Sequence, residues 1–304
     1  MIKIPDEGEG LTVIASVSGG KDSTALILAL REAEIPARFV FADTGWEHVD
    51  TYDYLDYLRA TLGITIDVVG VDGGMRARVR YRAGFPGRMQ RWCTRELKIN
   101  PLRDYHDRVI EETGIETISA MGVRADESES RSKMVEWEDE PTGPRSWGGW
   151  LWRPLIRWTV DDVLIAHRRH GVKVNPLYQR GHNRVGCYPC IMASKEEIAI
   201  IATTSPERIN EIRDLEREMT ELRANRNAEQ PGRYLHDEAH FFQTAASRNL
   251  PRGIDEIVAW ARTDRGGRQT QIFAPAPTGG CMRWGLCETE PSSAIDPVVA
   301  SDRG

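Results

Sequence analysis

Val17-Ser18-Gly19-Gly20-Lys21-Asp22-Ser23 constrains the fold of this chain more than any other stretch. It stands between an apolar run, Leu11 to Ala15, and a helical stretch, Thr24 to Ala33. A strand that ends in two glycines and a lysine and then opens a helix is built to hold phosphate. The glycines let backbone N–H groups approach the oxygens, the helix N-terminus adds its positive dipole end, and the lysine adds a full charge. It is not a Walker A loop, because the four-residue gap between Gly and Gly-Lys is missing. The plainer alternative is an ordinary Gly-rich turn, and the order strand, loop, helix argues against it.

The alternation continues. Leu11 to Val17 reads as a first strand, Ser23 to Ala33 as its helix, Ala37 to Ala42 as a second strand, Val49 to Leu62 as a helix and Thr65 to Val69 as a third strand. Pro101 to Thr113 reads as a helix and Thr117 to Val123 as a fourth strand. This is the pattern of an α/β fold, a Rossmann-like parallel sheet with helices on both faces, whose ligands sit at the carboxyl ends of the strands. The expected organisation is one such domain over residues 1–195, a helical and loop-rich extension over 196–290 and a disordered tail over 291–304. Asp126 to Gly149, charged and rich in Gly and Pro, reads as a loop that orders over substrate. Ser194 to about Asn227 reads as a helical region, and Ile254 to Arg262 as a short helix.

With 304 residues the chain is long enough for a large core. No apolar run approaches the roughly 20 residues that a spanning helix needs, and Met1 to Gly10 is too acidic and polar for a signal peptide. The expectation is a cytoplasmic protein with no membrane partner. A net charge of -6 argues against binding nucleic acid through the overall field. Arginines nevertheless crowd into Arg76 to Arg103, Arg168-Arg169 and Arg180 to Arg184, so that local basic faces remain open beside the plainer reading of solvated surface arginines.

Several residues carry candidate chemistry. Asp43 closes the second strand facing the same crevice as the loop; it is read as a magnesium or ribose ligand, or else as a helix N-cap. Arg124 and Arg131 follow the fourth strand and suit phosphate or an anionic substrate, with a surface salt bridge to Glu127 or Glu129 as the alternative. The cysteines are Cys93, the pair Cys187 and Cys190, and Cys281 and Cys287. In a cytoplasmic chain such thiols point to metal ligation or redox exchange rather than to disulfides; iron–sulfur, zinc and exchanging thiols are all compatible.

The loop resembles the PP-loop, Ser-Gly-Gly-x-Asp-Ser, of the N-type ATP pyrophosphatases. The segments Phe41-Ala42-Asp43-Thr44-Gly45-x-Glu47, Trp92-Cys93-Thr94-x-x-x-Lys98, Gly122-Val123-Arg124-Ala125-x-Glu127-Ser128-x-x-Arg131, Pro154-Leu155-Ile156-x-Trp158-Thr159 and Asn175-Pro176-Leu177-Tyr178 follow in order. Together they resemble the successive motifs of the phosphoadenosine phosphosulfate reductase family, over residues 11 to about 195. The resemblance implies an adenine nucleotide alpha-hydrolase-like fold and a nucleotide site formed by Ser18, Gly19, Gly20, Lys21, Asp22, Ser23, Asp43, Gly122, Arg124 and Arg131. Lys21, Asp22, Asp43 and Arg124 are the expected catalytic group, and ATP and Mg²⁺ the expected ligands.

Family reductases that take a preformed nucleotide sulfate generally lack the loop lysine and aspartate, whereas Lys21, Asp22 and Ser23 are all present here. This implies ATP cleavage between the α- and β-phosphates. The family's C-terminal Glu-Cys-Gly-Leu-His is replaced by Gly285-Leu286-Cys287-Glu288. Cys93, Cys187 and Cys190 match three ligands of the [4Fe–4S] cluster of adenylyl sulfate reductases, with Trp92 where a fourth cysteine would stand. The fourth ligand is then Cys281 or Cys287, as in the DNA phosphorothioation ATP pyrophosphatases, or an open iron site, as in the PP-loop tRNA thiolases. The implied activity is substrate adenylation in sulfur transfer, with nucleic acid as the implied acceptor. The alternatives are a nucleotide-sulfate reductase yielding sulfite, a sulfate adenylyltransferase-like activity, and a non-catalytic nucleotide-binding subunit. The partners so implied are a nucleotide substrate, a nucleic acid, a sulfur donor such as a cysteine desulfurase or a thioredoxin-like reductant, and a second copy of the chain.

Overall fold

The computed structural model describes residues 2–140, 149–234, 236–242 and 253–263. Its elements, in order, are β1 (Thr12–Val17), α1 (Lys21–Glu32), β2 (Ala37–Asp43), α2 (Val49–Leu62), β3 (Ile66–Gly70), α3 (Gly74–Arg82), the short α4 (Trp92–Thr94), α5 (Asn100–Thr113) and β4 (Thr117–Met121). Then follow the one-turn α6 (Glu129–Ser132), β5 (Trp137–Glu140), β6 (Gly149–Trp152), α7 (Val160–Arg169), α8 (Lys195–Thr204), α9 (Pro206–Glu229) and α10 (Ile254–Ala261). The strands form one six-stranded sheet in the order β3-β2-β1-β4-β6-β5. All neighbours are parallel except β5 and β6, which pair antiparallel. The tail expected over 291–304 lies outside the described residues.

Period-two alternation sends successive β1 side chains to opposite faces. Val13, Ala15 and Val17 join α1, Tyr54, Leu55 and Leu58 of α2, and Val163 of α7 in the larger core. Ile14 points the other way, to Val40, Val69 and the α5 residues Tyr105 and Val109. Both faces of the sheet are thus covered by helices. α1 is buried almost all round, from Leu26 to Leu30, because α7 packs on the side that the sheet leaves free.

The stretch from Asp126 to Gly149 departs from expectation. It carries α6 and the antiparallel strands β5 and β6, so the described parts are not a plain loop; residues 141–148 lie outside the described residues. β5 reads Trp-Glu-Asp-Glu, a composition that hides a strand from a hydrophobic pattern. It pairs with β6 at the edge, where Trp137 stacks on Trp150 with ring centroids 5.0 Å apart and Glu138 pairs with Arg153 at 2.8 Å. The helical region after Ser194 is two helices rather than one, broken where Ser205 caps Pro206. α3, unmarked in the apolar pattern, lies inside the arginine-rich stretch.

The helices after Cys190 close a second core. Ile198, Ile201, Ile209, Ile212, Leu215, Met219, Ile254 and Ile257 pack with Phe241 and with Trp46, Met75, Val79, Phe85 and Leu97 from the sheet-bearing half. No helix among the described residues is long and apolar enough to cross a membrane.

Burial also builds an acid sensitivity into the larger unit. His106 of α5 is buried with Nδ1 2.7 Å from the Thr117 hydroxyl, and desolvation lowers it from 6.5 to about 4. The folded chain holds this imidazole neutral while the unfolded chain protonates it below 6.5, so its contribution is complete above pH 6.5 and is lost as the pH falls towards 4. The expected loss is on the order of 3 kcal/mol across that interval. Urea midpoints measured from pH 7 to pH 4 are expected to fall less steeply for His106→Gln than for the wild type.

Candidate nucleotide site and neighbouring thiol cluster

The loop between β1 and α1 is held by contacts from distant parts of the chain. Gly19 takes φ +73, and a Cβ there would meet the Thr51 methyl group at 2.9 Å, so only glycine fits the turn. The Ser23 hydroxyl donates to the Gly20 carbonyl at 2.9 Å and accepts the Ser18 N–H at 3.1 Å. Asn175 Nδ2 donates to the Gly19 carbonyl at 3.2 Å, and the Lys21 N–H donates to the Tyr178 hydroxyl at 3.2 Å. His167 Nε2 lies 2.9 Å from the Lys21 carbonyl.

A chain of buried charges runs through this loop. Lys21 Nζ is 2.7 Å from Asp22 Oδ2, and Arg124 Nε is 2.6 Å from Asp22 Oδ1; Arg124 also bonds Asp126. Lys21 and Arg124 are 5% and 2% exposed, so these pairs are not surface ion pairs. Burial alone would raise the Asp22 carboxyl, but the Lys21 ammonium and the Arg124 guanidinium overcome it and hold the group below its ordinary value. Both Asp22 oxygens are thereby committed to cations. Gly122 serves this arrangement by close approach: a Cβ there would stand 2.6 Å from the Asp22 carbonyl. Arg131, by contrast, pairs with Glu127 on the surface, and Glu129 pairs with Lys133 at 2.9 Å.

Asp43 ends β2. Its Oδ1 accepts the Gly45 N–H and the Tyr52 hydroxyl, each at 2.8 Å. It does not cap α2, whose N-cap is His48. Neither of those bonds uses Oδ2, a hard oxygen of the kind Mg²⁺ takes. Tyr52 also reaches Glu47 Oε2 at 3.4 Å. Glu47 is buried, and accepts the N–H groups of Thr44 and Trp46 at 3.1 Å and the Thr44 hydroxyl at 2.7 Å.

This turn meets the thiols. Glu47 and Cys187 form an isolated antiparallel bridge, and Cys187 Sγ lies 3.7 Å from the Thr44 hydroxyl. Burial pushes the Cys187 thiol up, and the Lys98 ammonium opposes that shift. Burial likewise raises Cys93, with negative charge on Cys187 and Cys190 adding to it, so the three thiols lie within electrostatic reach of one another. This is the donor chemistry that an iron–sulfur cluster takes, although no three His, Cys, Asp or Glu side chains among the described residues stand in a metal-holding group. Cys281 and Cys287 lie outside the described residues.

Tyr178, Asn175, His167, Tyr52, Glu47 and Lys98 are absent from the site expected from sequence. The motif Asn175-Pro176-Leu177-Tyr178 was the available signal for two of them. Glu47 and Lys98 also stand in quoted motifs, Tyr52 bonds Asp43 nine residues away, and His167 meets Lys21 146 residues away.

Comparison with known proteins agrees with the motif order. A model of the phosphoadenosine phosphosulfate reductase domain matches residues 12–193. An uncharacterized 37.8 kDa protein of Escherichia phage 186 is 33% identical over 86% of this chain and 91% of its own length. An adenosine 5'-phosphosulfate reductase of Chelativorans sp. (strain BNC1) is 28% identical over 62% of this chain and 71% of its own. The chain spans only 47% and 36% of two uncharacterized Methanocaldococcus jannaschii relatives. Among solved structures, a phosphoadenylyl-sulfate reductase from Candida auris in a phosphate complex is 18% identical, with a TM-score of 0.44 over 60% of this chain and 84% of that one.

Removing the shared carboxylate leaves two buried cations facing each other. Asp22→Asn is expected to lower stability by on the order of 3 kcal/mol, read as a shift of the urea midpoint at unchanged slope.

Proposed function

The chain belongs to the phosphoadenosine phosphosulfate reductase family, and on that premise we propose that it is an ATP pyrophosphatase that adenylates an acceptor oxygen so that sulfur can replace it, with nucleic acid as the acceptor class. The observation that carries this reading is the chain Lys21–Asp22–Arg124 at the N-terminus of α1. A loop that serves pyrophosphate release needs a cation positioned before the substrate arrives, and here Asp22 fixes two of them.

In the proposed reaction the triphosphate lies along the loop amides from Ser18 to Ser23. The acceptor oxygen attacks the α-phosphorus and loses its proton, the bond to the bridging α,β-oxygen breaks, and pyrophosphate leaves. Lys21, released from Asp22 towards the β-phosphate, and the N-terminal dipole of α1 stabilise the negative charge on the leaving group. Asp22 stays paired with Arg124, which keeps the loop closed while Lys21 turns. Asp43 Oδ2 is the oxygen that would hold Mg²⁺, which when bound neutralises part of the triphosphate charge. In the second step a hydrosulfide-level sulfur bonds to the activated centre, the bond to the adenylated oxygen breaks, and AMP departs. Cys93, Cys187 and Cys190 are the thiolates that would hold a [4Fe–4S] cluster, which supplies electron- or sulfur-carrying chemistry when bound.

A second reading, reduction of a nucleotide sulfate to sulfite, is favoured by the reductase relatives. The loop counts against it, since a preformed nucleotide sulfate has no pyrophosphate to release.

The test is pyrophosphate release from ATP and Mg²⁺ with and without single-stranded DNA or RNA. Release dependent on the acceptor is expected, and Lys21→Met is expected to lower kcat about 100- to 1000-fold, as loss of one positioned transition-state donor does. Sulfite formation from adenosine phosphosulfate without any pyrophosphate release from ATP would overturn the reading.

A further inference from the structure

The arginine-rich stretch splits by helical spacing into two sets with different employment. On α3, Arg76 and Arg80 stand four residues apart and face α9, where Arg76 pairs with Glu211 and Arg80 with Glu218 at 2.7 Å. These two are absorbed by the second core's outer rim. Arg78 and Arg82, also four apart, turn the other way to one carboxylate, Glu96; Arg95 reaches the same carboxylate at 3.8 Å. One anion therefore faces three cations.

Beside Glu96 opens a groove of about 500 Å³ whose walls, among the described residues, include Arg82, Arg91, Arg95 and Arg103 and no acidic residue. In a chain of net charge -6 such a wall is a local inversion of sign. The rest of the lining is not what a small inorganic anion needs. Trp92 lies there with the Arg82 guanidinium 5.3 Å from its ring centroid, and Met89 is 96% exposed. Ile99 adds apolar surface, and Gln90 and Asn100 add amide donors and acceptors. Guanidinium groups for a phosphate backbone, flat and soft apolar surface for bases, and amides for base edges together make a single-strand nucleic-acid lining. An acidic peptide would use the arginines but would leave Trp92 and Met89 without work. Trp92 and Thr94 of the groove wall flank Cys93, so a strand lying in it passes beside that residue.

We propose that the groove between the end of α3 and the start of α5 is the docking surface for single-stranded nucleic acid, gripping its backbone through Arg82, Arg91, Arg95 and Arg103. This rests on the reading that the adenylated acceptor is a nucleic acid, but it concerns binding and not turnover.

The experiment measures anisotropy of a labelled single-stranded 20-mer, DNA and RNA, with the full chain at several salt concentrations, beside the pyrophosphate assay. Wild type is expected to bind with affinity that falls as salt rises. Arg91→Glu with Arg95→Glu, two exposed positions, is expected to weaken binding at least tenfold and to flatten the slope of log affinity against log salt by about 0.7 for each phosphate that is no longer neutralised. ATP binding and the melting midpoint stay at wild-type values, and Arg91→Lys with Arg95→Lys retains the affinity. Unchanged affinity in the double glutamate variant, absence of salt-dependent binding in wild type, or displacement of the oligonucleotide by polyglutamate at equal charge concentration would each overturn the groove. Binding that obeys all these expectations without any pyrophosphate release upholds the groove and removes only the adenylation reading.

Discussion

The Asp22 carboxylate between the Lys21 ammonium and the Arg124 guanidinium is the interaction on which the site depends. Two cations at the end of one strand pair would repel in a region largely shielded from water, and a single carboxylate turns that repulsion into a link between β1–α1 and β4. The link forces the neighbouring geometry. β4 must end close to the first turn of α1, and the residue that meets the Asp22 carbonyl must be Gly122, because any Cβ there would clash. Arg124 then needs Asp126 to balance its remaining charge. A local sequence requirement at the loop thus propagates into a long-range constraint on the sheet.

The second constraint is where the two cores meet. Trp46 leaves the end of β2 and enters the helical core, stacking on Phe241 at 6.0 Å, with the Arg208 guanidinium 4.4 Å from its ring centroid. The turn that carries Trp46 also carries Asp43 and Glu47. Asp43 and the carboxylate beside Cys187 therefore share a turn anchored by a buried tryptophan and are joined through one hydroxyl, that of Tyr52. Distances within this turn are set by packing in the helical core as much as by the sheet.

What could be read from the chain follows from how local each signal is. The β1–loop–α1 unit was legible because glycine, lysine and apolar residues lie side by side, and so were the ends of β2 and β4, where chemistry follows directly on a strand. β5 was not, since an acidic edge strand carries no hydrophobic alternation and is held by pairing with β6, the Trp137–Trp150 stack and the Glu138–Arg153 ion pair. α3 was hidden because its arginines read as surface charge, when two of them bind α9. Arg131 could be assigned to phosphate or to a salt bridge, and only the geometry of α6 puts it against Glu127. Tyr178 and His167 lie 157 and 146 residues from Lys21, which they help to hold, so no window of sequence contains both partners.

That separation gives the loop a history as well as a shape. A nascent chain can form β1, α1 and β2 early, but the Lys21 N–H meets the Tyr178 hydroxyl only after the chain has been made through residue 178. Before residue 117 has been made, the loop amides belong to a partial sheet that lacks β4, Arg124 and Asn175. Synthesis at about 5–20 residues per second places roughly 8 to 30 seconds between the appearance of the loop and its completion. The loop is thus completed late although it comes from the chain's first residues, and a growing chain lacks the Tyr178 contact until all six strands have been made.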